Sequence, residues 1–258
     1  MKKIIFALGI ALFSLNASAQ VIFNGLLNGY SVGNQLEKGI YKTREDAPAA
    51  NTWMGVFTSK PNAFPSPVTG KELNYKGYPE AGVSISVGSP AEGARGKRYS
   101  IYTLTEGKEL SRGVFYLSCL MDFSKIGAGD MYDLVILSAK PSQVSGRSTI
   151  SICRAPENQF YFGTSLAKLR VKNPKAFALN TTHLVILKLD YKKQTVSMFV
   201  DPDLSAGEPA DADCIVTADG ENGLRHAIRS IAFRNSSNYT GSVGNFRFSK
   251  NWNGVISE

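Results

Sequence analysis

Apolar and polar side chains alternate with a period of two along most of the chain. Residues 83–87, Val-Ser-Ile-Ser-Val, do so without a break, the pattern of a strand with one buried face. Further short apolar runs follow at residues 99–104, 114–123, 132–138, 149–153, 159–162, 183–190, 195–200, 228–233 and 245–248. β-Branched and aromatic residues dominate inside them, and Gly, Pro, Asn, Asp or Lys separates them. Asp190 to Gln194 reads as a hairpin loop between two such runs. Only residues 223–229 suggest a helical turn or two. Many short strands with closely spaced turns predict an all-β fold, a two-sheet antiparallel β-sandwich or jelly roll. Residues 42–80 break the rhythm with Pro48, Pro61, Pro65, Pro67 and Pro79. Such a segment inside a domain usually carries function or wraps the surface. Apolar runs resume on both sides of it, so residues 20–258 are expected to form a single domain.

The first 19 residues have a different character. Lys2-Lys3 precedes an apolar stretch from Ile4 to Leu15, and Ala17-Ser18-Ala19 supplies the small residues of a cleavage site. The stretch is short for a bilayer span, and no cysteine follows it to anchor a lipid. Residues 1–19 are therefore read as a signal peptide. The mature chain is expected to be exported, periplasmic, cell-surface or secreted, with no membrane insertion after cleavage. Removing Lys2 and Lys3 lowers the net charge from +8 to +6. Hydrophobic content of 43% with 19% charged residues excludes a disordered chain and a coiled coil. A charge of +6 without a recognised motif makes nucleic acid a poor partner. Cys119, Cys153 and Cys214 are an odd set, read as three buried free thiols ahead of a Cys153–Cys214 bridge.

Several segments together resemble the concanavalin A-like (LamG-type) jelly-roll domains of exported bacterial proteins. They include Phe23-Asn24-Gly25, Asn28-Gly29-Tyr30, residues 64–67, residues 73–79 and Arg95 to Arg98 ahead of the strand at 114–118. The strongest stretch is residues 182–190, the hairpin, and residues 196–203, followed by residues 228–234 and Asn245-Phe246-Arg247-Phe248 with Trp252. The resemblance implies two packed antiparallel sheets in a superfamily that includes lectins and glucanases. It does not fix the function. Related domains often carry an acidic pair before the last strand, where this chain has Gly244-Asn245.

Enzymes of that superfamily often place Glu-x-Asp-x-x-Glu on one strand, supplying the two carboxylates that glycoside hydrolysis needs. No such pattern occurs here. Asp122 and Asp133 are isolated, expected at strand ends or on outer faces. The two histidines, His183 and His226, are expected at the surface. These features favour a non-catalytic carbohydrate-binding or surface-glycan-binding domain. An envelope structural protein, or a divergent hydrolase or lyase, stands as the alternative. Trp53, beside Asn51, is the first candidate to stack on a sugar, and Tyr239, beside Asn238, is the second. Trp252 is assigned to packing. Lys168, Arg170 and Lys172 alternate with Leu169 and Val171. They form a basic stripe that could hold an acidic polysaccharide or simply protect a sheet edge. Asp201, Asp203, Glu208, Asp211 and Asp213 permit calcium by composition but match no calcium loop. No cofactor is expected.

Overall fold

The computed structural model describes residues 21–34, 36, 53–54, 66–88, 99–104, 110–140 and 143–257. The expected signal peptide, Asn51 and most of the Pro-rich segment lie outside the described residues. In chain order the strands are β1 (Val21–Asn24), β2 (Trp53–Met54), β3 (Val68–Leu73), β4 (Gly82–Val87) and β5 (Tyr99–Thr103). Then come β6 (Val114–Ile126), β7 (Tyr132–Lys140), β8 (Gln143–Arg154), β9 (Gln159–Leu166) and β10 (Leu169–Ala178). The last five are β11 (His183–Asp190), β12 (Thr195–Val200), β13 (Cys214–Thr217), β14 (Ser230–Arg234) and β15 (Tyr239–Ser249). A single-turn helix, α1 (Asn253–Ile256), follows. Residues 223–229 form no helix, which corrects that expectation. No helix among the described residues is long and apolar enough to cross a membrane.

Every strand pairing is antiparallel, and two sheets result. One runs β13-β12-β11-β6-β15-β4-β3, with β1 also paired to β15; the other runs β10-β9-β8-β7-β14-β5-β2. The predicted sandwich is therefore the observed architecture. Alternation explains the packing. Leu117, Cys119, Met121 and Phe123 from β6 meet Phe160 and Phe162 from β9 and Phe233 from β14 in one core between the sheets. These side chains are essentially inaccessible to water. Removing that apolar area from water is the main drive to fold.

The alternate residues of β6, β11 and β12 face outward, yet they are also buried. Tyr116, Leu120, Leu184, Ile186 and Phe199 form a second cluster with Leu73, Tyr78, Trp252, Val255 and Ile256. The 74–81 loop and the C-terminal turn thus roof the outer face of the eight-stranded sheet. Arg247 is the fastening, only 3% exposed. Its guanidinium donates to the Glu80 carboxylate at 2.6 Å and to the carbonyls of Gly254 and Ser257 at 3.1 and 2.8 Å.

Candidate functional site

On the other sheet the outward side chains Ile136, Thr149, Ser151 and Ser165 are also buried, and the basic stripe emerges beside them. Leu169 and Val171 pack on the core, so the strand's two-residue period turns Arg170 and Lys172 outward, while Lys168 lies in the turn between β9 and β10; all three are exposed. The strand β10 is the edge of its sheet, so the stripe lies where edge protection would also place it. Its ladder to β9 is interrupted between Lys172 and Ala176. Pro174, which has no N–H to donate, sits in that bulge, and Asn173 Oδ1 accepts the Lys175 N–H at 2.9 Å.

Register then decides which side chains join the stripe. Lys172 is opposite Gly163, Gly163 opposite Ser151, and Ser151 opposite Asp133. Arg170 reaches across this row. Its two terminal nitrogens donate to Asp133 Oδ1 and Oδ2 at 2.9 and 2.8 Å, a bidentate fork that favours planar anions. Ser151 Oγ donates to the same carboxylate at 2.9 Å. Thr149 Oγ1 stands 2.9 Å from Ser151 Oγ and 2.8 Å from Ser165 Oγ, completing a chain of buried hydroxyls below the ion pair. The Lys172 ammonium lies 4.2 Å from the centroid of the half-buried Tyr161 ring, a cation–π geometry. The missing side chain of Gly163 makes room for Met131. A Cβ there would overlap the Met131 side chain and lie 2.8 Å from the Val171 carbonyl oxygen. Cys153, opposite Tyr161, is buried; burial raises its thiol pKa and nearby Lys172 opposes that rise.

The aromatic candidates are placed differently, and both are corrected. Trp53 is 7% exposed. Its ring meets Tyr102 edge-on at 5.4 Å and Phe233 at 5.6 Å, while Nε1 donates to the Leu26 carbonyl at 3.0 Å. Tyr239 is fully buried against Phe123, and its hydroxyl donates to the Arg234 carbonyl at 2.6 Å. A ring with both faces packed offers none to a sugar. Asn238 is exposed, and its carbonyl accepts the Gly127 N–H at 2.6 Å. Trp252 packs against Tyr116 and Phe199, as assigned.

The acidic cluster is largely occupied by the protein itself. Asp201 Oδ1 accepts the Leu184 N–H at 2.9 Å and Asp213 Oδ2 accepts the Val200 N–H at 2.7 Å. Asp203 accepts from Ser205, and Glu208 accepts from the Tyr116 hydroxyl and from Lys188. Among the described residues no group of three His, Cys, Asp or Glu side chains is arranged to hold a metal ion.

His183 is buried rather than superficial, because the first residue of β11 points inward among Phe160, Phe162 and Phe177. Its Nδ1 donates to Asp201 Oδ2 at 2.7 Å and its Nε2 to the Ala178 carbonyl at 3.0 Å. Only the imidazolium can donate from both nitrogens. Burial pulls its pKa down, but the Asp201 carboxylate and the Ala178 carbonyl outweigh that and raise it. Cys119, Cys153 and Cys214 are all free and buried. Burial pushes the Cys214 thiol up to about 12.

Gly244-Asn245 forms a bulge in β15 with Asn245 at φ 57°. Its Nδ2 donates to the Leu73 carbonyl at 2.8 Å and its own carbonyl accepts the Tyr78 hydroxyl at 2.7 Å. A cleft of about 70 Å³ beside it, lined by Leu26, Asn28, Glu80 and Phe246 among others, is far below the roughly 300 Å³ at which ligand pockets begin.

No family model matches the chain. No curated protein matches it in sequence either. Solved structures with partial similarity include the carbohydrate-binding module CBM40 of the Ruminococcus gnavus IT-sialidase, bound to alpha2,3 sialyllactose. It shares 10% identity over 57% of this chain and 84% of its own, with a TM-score of 0.39. The catalytic domain of the glycoside hydrolase family 131 protein from Coprinopsis cinerea shares 10% identity, covering 68% and 72%, with a TM-score of 0.42. The globular domain of T. cruzi calreticulin shares 10% identity, covering 92% and 90%, with a TM-score of 0.46. Likenesses this distant carry nothing over to this chain's ligand.

Proposed function

We propose that this chain is an exported, non-catalytic β-sandwich that binds carbohydrate on the outward face of β7 to β10. One juxtaposition carries the reading: the Tyr161 ring, the Arg170–Asp133 pair and the Lys172 ammonium stand together above the Ser and Thr hydroxyls. Sugar recognition combines an aromatic surface with polar groups that fix hydroxyl orientation. Exposed Lys172 can swing off the Tyr161 ring to admit a pyranose face, then donate to a ring hydroxyl.

A glycan array probed with the mature protein tests this. Binding to a subset of glycans is expected, and Tyr161→Ala should abolish it while leaving the thermal midpoint within a few degrees. No binding at high micromolar protein would defeat the proposal. A structural role in the cell envelope is the second reading. It is favoured by the Arg170, Asp133 and Ser151 groups already satisfying one another without a ligand.

A further inference from the structure

Resting on that reading, we infer that the ligand of the β7–β10 face is an acidic glycan bearing carboxylate or sulfate groups, with Asp133 acting as a built-in competitor for its anions. Arg170 and Lys172 follow each other by about 7 Å along the extended backbone of β10, with Lys168 in the turn that precedes it, a series of cations suited to a polymer rather than to one small anion. Their counter-charges are sparse. Of the three cations Asp133 pairs with Arg170, and Asp130 lies near Cys153, within electrostatic reach. Lys172 rests on a ring and not on a carboxylate. Lys168 forms no ion pair with the described residues. The face therefore keeps a positive excess.

Arg170 gives the excess a shape. Its fork fits a carboxylate or a sulfate at two points, and Asp133 fills it now. A glycan anion must replace Asp133 or share the guanidinium with it. Asp133→Asn keeps the size of the side chain and an oxygen for Ser151, but weakens its hold on the fork. The substitution should therefore strengthen binding. Asp130→Asn removes the same charge without freeing Arg170, and separates competition for the fork from a general charge effect.

The experiment is salt elution of the mature protein from dextran sulfate, polygalacturonate, neutral dextran and double-stranded DNA columns, with circular dichroism confirming that each variant folds. Retention is expected on at least one acidic glycan, the better column identifying the anionic group. The Lys168→Ala/Lys172→Ala pair should weaken binding, each lysine by roughly two- to fivefold. Asp133→Asn should elute at higher salt than wild type and than Asp130→Asn. Unchanged elution of the lysine pair, or Asp133→Asn eluting no later than Asp130→Asn, would overturn the inference. Equal retention on DNA would do so too, by reducing the face to a general polyanion exchanger. Tyr161-dependent binding to neutral glycans alone would sink the inference and spare the carbohydrate reading; no glycan binding of either kind would end both.

Discussion

Replacing Trp53 separates a core role from a sugar-stacking role. The indole fills a site between Tyr102 and Phe233 and closes a hydrogen bond to Leu26. Trp53→Ala removes a large, 93%-buried ring from the main core and should cost about 3–5 kcal/mol. For a chain of this size that lowers the melting midpoint by roughly 6–20 °C. Trp53→Phe keeps part of the ring but leaves the Leu26 carbonyl without its donor, which adds about 1 kcal/mol to a smaller cavity cost. Urea unfolding followed by far-ultraviolet circular dichroism measures both. The protein has two tryptophans, so Trp252 alone would report fluorescence in either variant. Binding to any array-positive glycan should persist in Trp53→Phe. A Trp53→Ala protein with unchanged stability and lost glycan binding would refute the packing argument and return Trp53 to a ligand site.

Three further outcomes follow from the geometry. Arg247→Met leaves the Glu80 carboxylate under the C-terminal turn without its partner and should cost roughly 3 kcal/mol in urea unfolding, with Glu80→Gln costing less; equal, negligible losses would show that the roof is not fastened there. The raised His183 pKa contributes stability that is fully present below its ordinary value near 6.5 and is lost as pH rises through the folded value. Wild type should therefore lose stability from neutral to alkaline pH more steeply than His183→Gln, and matching slopes would contradict the doubly donating ring. Gly163→Ala should destabilise by about 1–3 kcal/mol through overpacking. Adding Met131→Ala should recover only part of that, because the Val171 carbonyl remains in the way.

Period-two alternation made most of the fold legible, since the core runs of β6, β9, β11 and β12 are read directly as buried faces. The strands it missed carry weak patterns. The polar middle of β3, Thr-Gly-Lys-Glu, sits at a sheet edge, and β13 is a four-residue edge strand with Ile215 exposed. The start of β15 hid behind the Asn- and Ser-rich residues 235–240. The basic stripe was visible because alternation alone separates Lys168, Arg170 and Lys172 from Leu169 and Val171. Its partners Asp133, Ser151 and Tyr161 come from three other strands, and only the register brings them into line. Trp53 and Tyr239 were misplaced for a related reason. A polar neighbourhood in the chain does not reveal which way a ring points, and in both cases long-range packing took the ring inward. His183 shows the same limit, because its carboxylate partner lies across the β11–β12 hairpin.

Amide chemical-shift mapping during titration with a short oligogalacturonate tests the central claim most directly. Saturable shifts centred on Tyr161, Gly163, Arg170 and Lys172, weakened by salt, are the predicted result. Shifts centred on the 74–81 or 201–213 loops, or no shifts at millimolar sugar, would contradict it.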